Sequence, residues 1–194
     1  ILKTSQNLVA VKLEDQIGIA TGYAYAQKFG LSVTSKDQNI ATMALGQFYG
    51  GETPLLMAAA YGVFGNSGLY TKPRLYTKVV DRTGKVLLET KYTTKVTLNP
   101  QSAYIMYDLL KGPVSAGGTG PSAQYGDMPV AGKTGTATDL KDLWFCGLTP
   151  YYSAAVWIGN DDTKKFYNLS SNDAALVWGK LMQQANANLP IKDI

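Results

Sequence analysis

Histidine is absent from the 194 residues, and cysteine occurs once, at Cys146. The first absence excludes enzymes that move protons through a Ser-His-Asp or Cys-His arrangement, and it removes the commonest zinc ligand. The second excludes an intrachain disulfide and a paired-cysteine metal site. Cys146 stands between Phe145 and Gly147 in an apolar run, where a buried structural thiol is expected. No hydrophobic run approaches the roughly 20 apolar residues needed to cross a bilayer. No cleavable leader is visible either, so no membrane contact is expected of this chain itself. The 18 basic and 14 acidic residues leave a net charge of +4 without an arginine-rich or lysine-rich block, which argues against a nucleic-acid partner. One further absence is chemical: no serine is followed three residues later by lysine.

With 45% apolar residues, the chain can build one substantial core, so one domain or part of one is expected. It opens on Ile1 and reads as a piece of a larger reading frame. Residues 8–29 carry apolar positions at helical spacings and predict one or two helices, interrupted at Gly18 and Gly22 and closed by Gly30. Thr53-Pro54 opens a helix through Phe64, with threonine as N-cap and proline in the first turn. Asn99-Pro100 opens another through about Lys111, stopped by Gly112-Pro113, and a flexible loop is expected over 115–125. Arg74 to Asp81 and Lys85 to Glu89 read as a hairpin turning at 81–84. Three strand-like runs follow at 130–137, 143–148 and 154–159, and Ser171-Asn172-Asp173 caps a last helix through Val177, Leu181 and Met182. The connections between the three runs are too short for parallel crossovers, so an antiparallel meander is predicted. An antiparallel sheet covered by helices makes the fold class α+β, with residues 1–68 mainly a helical layer and 128–194 the sheet and final helix. The cleft is expected between them.

Serine acyl transfer needs an activated hydroxyl, a proton carrier, donors for the oxyanion and a grip on the substrate. Without histidine, lysine must handle the protons. Ser5 is a candidate proton relay, and Asn7 offers an amide to a substrate backbone. Lys133, in the run Gly132-Lys-Thr-Gly-Thr136, can hold Ser5 and provide positive potential for a carboxylate. Thr134 and Thr136 supply hydroxyls, Gly135 leaves room for a close neighbour, and the Thr136 N–H is a candidate oxyanion donor. Trp144, Phe145, Tyr151, Tyr152 and Trp157 read as core, site wall or sheet cover. Asp139 and Asp142 read as a polar turn rather than a paired-carboxylate site. Glu52 could activate a deacylating water, but its place at a helix start is explained equally by the helix dipole.

Ser5-Gln-Asn7, Ala44-Leu-Gly46, Gly51-Glu-Thr-Pro54 and Gly132-Lys-Thr-Gly-Thr136 appear in the order seen in the penicillin-recognising serine enzymes. The chain resembles the C-terminal portion of a penicillin-binding transpeptidase domain. Asp142-Leu-Trp-Phe145, Thr149-Pro150 and Val156-Trp-Ile-Gly-Asn-Asp-Asp162 are most similar to the class A, bifunctional members. The resemblance implies a β-lactamase/transpeptidase-like fold and peptidoglycan cross-linking through an acyl-enzyme on D-alanyl-D-alanine stem peptides, intercepted by β-lactams. It assigns Ser5 and Asn7 to the second conserved element and Lys133, Thr134, Gly135 and Thr136 to the third. The first, a serine–lysine pair on an upstream helix, has no counterpart here, so the nucleophile is expected on a missing upstream segment and the isolated chain is expected to be inactive. No metal or organic cofactor is implied. The parent protein is expected to be membrane-anchored, at the extracytoplasmic face of the bacterial cell membrane. A D,D-carboxypeptidase or β-lactamase, and a non-catalytic β-lactam sensor, share the same motifs and stay open.

Overall fold

The computed structural model describes residues 1–162 and 164–194. Four helices come first: α1 (Asn7–Ile17), α2 (Ile19–Lys28), α3 (Ile40–Leu45) and α4 (Pro54–Gly65). Two small antiparallel pairs follow. In one, β1 (Leu69–Thr71) pairs with β4 (Thr94–Val96), and in the other β2 (Lys78–Val80) pairs with β3 (Val86–Glu89). Helix α5 (Pro100–Val114) leads to an antiparallel meander of β5 (Ala131–Thr136), β6 (Asp142–Leu148) and β7 (Ser153–Gly159), and α6 (Ser171–Ala185) closes the order.

Local chemistry sets the helix starts. The Thr53 hydroxyl accepts from the Leu56 N–H at 3.3 Å, the Asn99 carboxamide from Ser102 N–H at 2.7 Å, and Asn39 from Thr42 N–H at 2.9 Å. Gly18, at φ +84°, separates α1 from α2. Gly22 does not interrupt anything. It lies inside α2, where a Cβ would stand 2.1 Å from Glu14 Oε1, so its missing side chain makes room for that carboxylate. Helix α5 also outruns its expected stop, because Pro113 sits in the last turn and forfeits only one intrahelical hydrogen bond. Pro113 and Val114 are buried, which holds that turn in place. The last helix is capped one residue earlier than expected, by a reciprocal Ser170–Asp173 capping box. Its buried stripe is Ala174, Ala175, Trp178 and Met182, whereas Val177 and Leu181 are half exposed.

The sheet order is β5-β6-β7, with the register Ala131↔Leu148 through Thr136↔Leu143. Because side chains alternate between faces, Phe145 meets Trp178 of α6 on one side, ring centroids 5.2 Å apart. On the other side Ala131 and Leu148 pack with Phe64 of α4 and with Tyr107 and Leu110 of α5. The sheet is therefore a middle layer, matching the expected α+β class, and α5 shares the covering role with α4. The segment expected to be a flexible loop is packed: Ala123 is fully buried, and Ser122 is hydrogen-bonded with Asn172 of α6. The predicted hairpin forms with shorter strands, and the β1–β4 pair carried no recognisable signal in three-residue strands.

Candidate functional site

Strand β5 lies at the edge of the sheet and carries Lys133 to Thr136. Ala137 donates its N–H to the Asp142 carbonyl directly opposite at 2.9 Å, which marks a hydrogen-bonded pair. Alternation then turns the backbone groups of Thr134 and Thr136 away from β6, toward the open edge. The Lys133 ammonium reaches that edge and donates to the Thr134 carbonyl at 2.9 Å. It also donates to Ser5 Oγ at 2.9 Å, joining residues 128 positions apart. Ser5 sits in the turn before α1 with φ 54°, a left-handed conformation uncommon for a residue with a side chain. Asn7, two residues on, begins α1 and is exposed.

Burial lowers the Lys133 pKa, since the ammonium loses water as it enters the space between sheet and helices. Among the described residues no carboxylate forms an ion pair with it. A cation with no acidic partner, bonded to a hydroxyl beside an open strand edge, suits an anionic ligand and can donate or recover a proton through Ser5. Cys146 pairs with Lys133 in register and shares its face, but the thiol is buried and its pKa is pushed up to about 12, which makes it inert.

The remaining candidates divide. Thr136 is exposed at the strand end. The Thr134 hydroxyl is buried on the α6 side of the sheet and shares a 2.6 Å hydrogen bond with the Thr119 hydroxyl, so it ties the preceding loop to β5. Only its carbonyl takes part in the cluster around Lys133. Gly135 shows no bulge: the register through it is regular, and a Cβ there would stand 3.1 Å from the Cβ of Trp144, its cross-strand partner. Trp144 in turn lies 6.3 Å, ring centroid to centroid, from Trp157, whose indole N–H donates to Asp142 at 2.8 Å. Asp142 is thus an indole acceptor. Glu52 accepts from the N–H groups of Ser32 at 2.7 Å and Thr53 at 2.8 Å, which accounts for its carboxylate as a loop tie. Thr119 went unnoticed in the sequence, because its only signal was a glycine-rich surrounding. No cluster of three or more His, Cys, Asp or Glu that could hold a metal occurs among the described residues.

Residues 1–183 match the penicillin binding protein transpeptidase domain. The chain belongs to this family. It is 66% identical over 194 residues to penicillin-binding protein 1A of Clostridium acetobutylicum, covering 100% of this chain and 24% of that protein. With penicillin-binding protein 1A of Clostridium botulinum strain Langeland the identity is 57%, again over 100% of this chain and 24% of the relative. The transpeptidase-domain chain thus spans about a quarter of the length of the curated relatives it matches. Its fold is that of the crystal structure of penicillin-binding protein 1A from Haemophilus influenzae, with a TM-score of 0.78 at 23% identity, over 100% of this chain and 35% of that one. Penicillin-binding protein 3 from Mycobacterium tuberculosis, complexed with aztreonam, gives 0.76 at 22% identity, over 98% of this chain and 51% of that one.

Proposed function

We propose that the chain supplies the substrate-holding and proton-relaying side of a serine D,D-transpeptidase that cross-links peptidoglycan, and that the acylated serine lies outside these 194 residues. The observation that carries this reading is the 2.9 Å hydrogen bond from Lys133 to Ser5 beside the unpaired edge of β5. A D-alanyl-D-alanine stem peptide adds along that edge as an extra strand, its main chain bonding Thr134 and Thr136 and its terminal carboxylate facing Lys133. Asn7 binds the peptide's amide side, and the Thr136 N–H helps hold the developing oxyanion. The serine oxygen attacks the penultimate carbonyl and the bond to the terminal D-alanine breaks. The hydroxyl proton travels by way of Ser5 to the leaving nitrogen. An amine of a second stem peptide then takes the acyl group, and a β-lactam occupies the same edge and acylates the same serine. The setting is the extracytoplasmic face of the cell membrane. Engagement of Glu52 by two backbone N–H groups disfavours the hydrolytic β-lactamase reading, because that carboxylate is committed to its loop.

The test is peptide mapping of the full-length protein after labelling with a fluorescent penicillin. The label should fall outside residues 1–194. Stoichiometric label on Ser5, or on any other serine of this chain, overturns the division of roles.

A further inference from the structure

Seven of the 18 basic residues but only two of the 14 acidic ones fall within residues 69–97, giving that segment +5 and the rest of the chain −1. The segment is the arm formed by β1 to β4. The cations are Lys72, Arg74, Lys78, Arg82, Lys85, Lys91 and Lys95, and every one of them is exposed. None forms an ion pair with a carboxylate among the described residues, although Lys78 lies opposite Glu89 in register. Asp81 accepts from the backbone N–H groups of Thr83 and Lys85, so its carboxylate is committed to the turn. Lys95 has a structural explanation: it donates to the Gln27 carbonyl at 3.2 Å and lies over the Tyr70 ring, which roots the arm on α2. Arg74 has comparable contacts, whereas Lys72, Lys78, Arg82, Lys85 and Lys91 have none among the described residues, and each raises the self-repulsion of the arm.

Two of those five converge with Arg74. Lys72, Arg74 and Lys91 line a groove of about 330 Å³ together with Tyr76, Thr90 and Glu89. Arg74 is held in place there, donating to the Thr90 carbonyl at 3.2 Å and lying over the Tyr92 ring at 5.4 Å. A restrained guanidinium loses little freedom on binding, and it offers a planar fork of donors to an oxyanion. The groove shares no residue with the cluster of Ser5 and Lys133.

We propose that this groove is a second binding site, which takes a linear polymer bearing repeated phosphate groups and so tethers the domain to a polyanion while the β5 edge is free to engage its own substrate. A chain of phosphates satisfies several separated cations at once, and the Thr90 hydroxyl offers a hydrogen bond between them. A lipid bilayer fits less well. It is a plane, whereas Lys72, Arg74 and Lys91 line a concavity, and the exposed apolar Val86 and Leu88 lie on β3 outside that groove.

The test measures binding of long-chain inorganic polyphosphate to the full-length protein by fluorescence anisotropy as a function of salt. The expected result is saturable binding that weakens at least 10-fold in the triple variant Lys72→Ala/Arg74→Ala/Lys91→Ala. The slope of log affinity against log salt should fall by about 2, from three lost contacts at about 0.7 each. A second triple variant, Lys12→Ala/Lys180→Ala/Lys192→Ala, removes the same charge elsewhere and should bind as the parent does. Penicillin acylation, which should be unchanged in both, reports folding. The proposal is overturned if the two variants weaken binding equally, if polyphosphate does not bind, or if vesicles containing phosphatidylglycerol bind through the same three residues while polyphosphate does not.

Discussion

Replacing Lys133 by alanine should damage acylation far more than stability, and both magnitudes can be worked from its surroundings. The ammonium makes two hydrogen bonds of 2.9 Å, to Ser5 Oγ and to the Thr134 carbonyl. Hydrogen bonds involving a charged group contribute about 1.5–3 kcal/mol each. Against this stands the cost of partly removing the cation from water, which is the cause of its lowered pKa. Ser5 is exposed and the Thr134 carbonyl faces the open edge, so both acceptors find water once the lysine is gone. The net loss of stability should be about 1 kcal/mol or less, a shift of about 2–4 °C in Tm for a domain of this size. Acylation loses a proton-handling group and the charge facing the substrate carboxylate. Such a group contributes about 10²–10⁴ in rate, or about 3–5 kcal/mol in the barrier. Stopped-flow acylation of the full-length protein by a fluorescent penicillin, alongside thermal melts, separates the two effects. Unchanged acylation with a normal melt would refute the role given to Lys133, and a melt lowered by 10 °C or more would show that the lysine is chiefly structural.

If Lys133 acts as a cation, acylation should fall with rising pH through its lowered pKa, so the alkaline limb should lie below the ordinary lysine range, as a pH–rate profile would record. Thr134→Val should cost about 1–2 kcal/mol of stability by stranding the Thr119 hydroxyl and change acylation little, whereas Thr136→Val should do the reverse; melts and acylation rates on the pair decide this. Glu14 is 7% exposed, its Oε1 lacks a hydrogen-bond partner and burial raises its pKa, so the folded state binds a proton more tightly than the unfolded one. Stability should therefore fall as pH rises through that raised pKa, and Glu14→Met should gain about 1 kcal/mol at neutral pH, with the gain shrinking under acid, as urea melts at pH 4 and pH 7 would measure.

The sequence by itself determined the helix starts at Thr53-Pro54 and Asn99-Pro100 and the antiparallel sense of the meander. Those features follow from hydrogen bonds, fixed dihedrals and connection lengths spanning a few residues. It also carried the family, through motifs whose order survives without any knowledge of their distance in space. It misjudged Gly22, Pro113 and the first cap of α6, where packing against Glu14, burial of the last turn of α5 and a neighbouring serine decided the local outcome. Tertiary structure alone decided what each hydroxyl on one face of β5 meets. Thr134 and Thr136 are two residues apart on one strand, yet Thr134 is tied to Thr119 while Thr136 is exposed at the strand's end. Only chain topology could bring Ser5 to Lys133, because neither residue has local bonding preferences that reach across the intervening elements. The +5 of residues 69–97 can be counted along the chain, but only the pairing of β1 with β4 and of β2 with β3 brings Lys72 and Arg74 beside Lys91 in one groove, because that pairing folds the two ends of the segment back together.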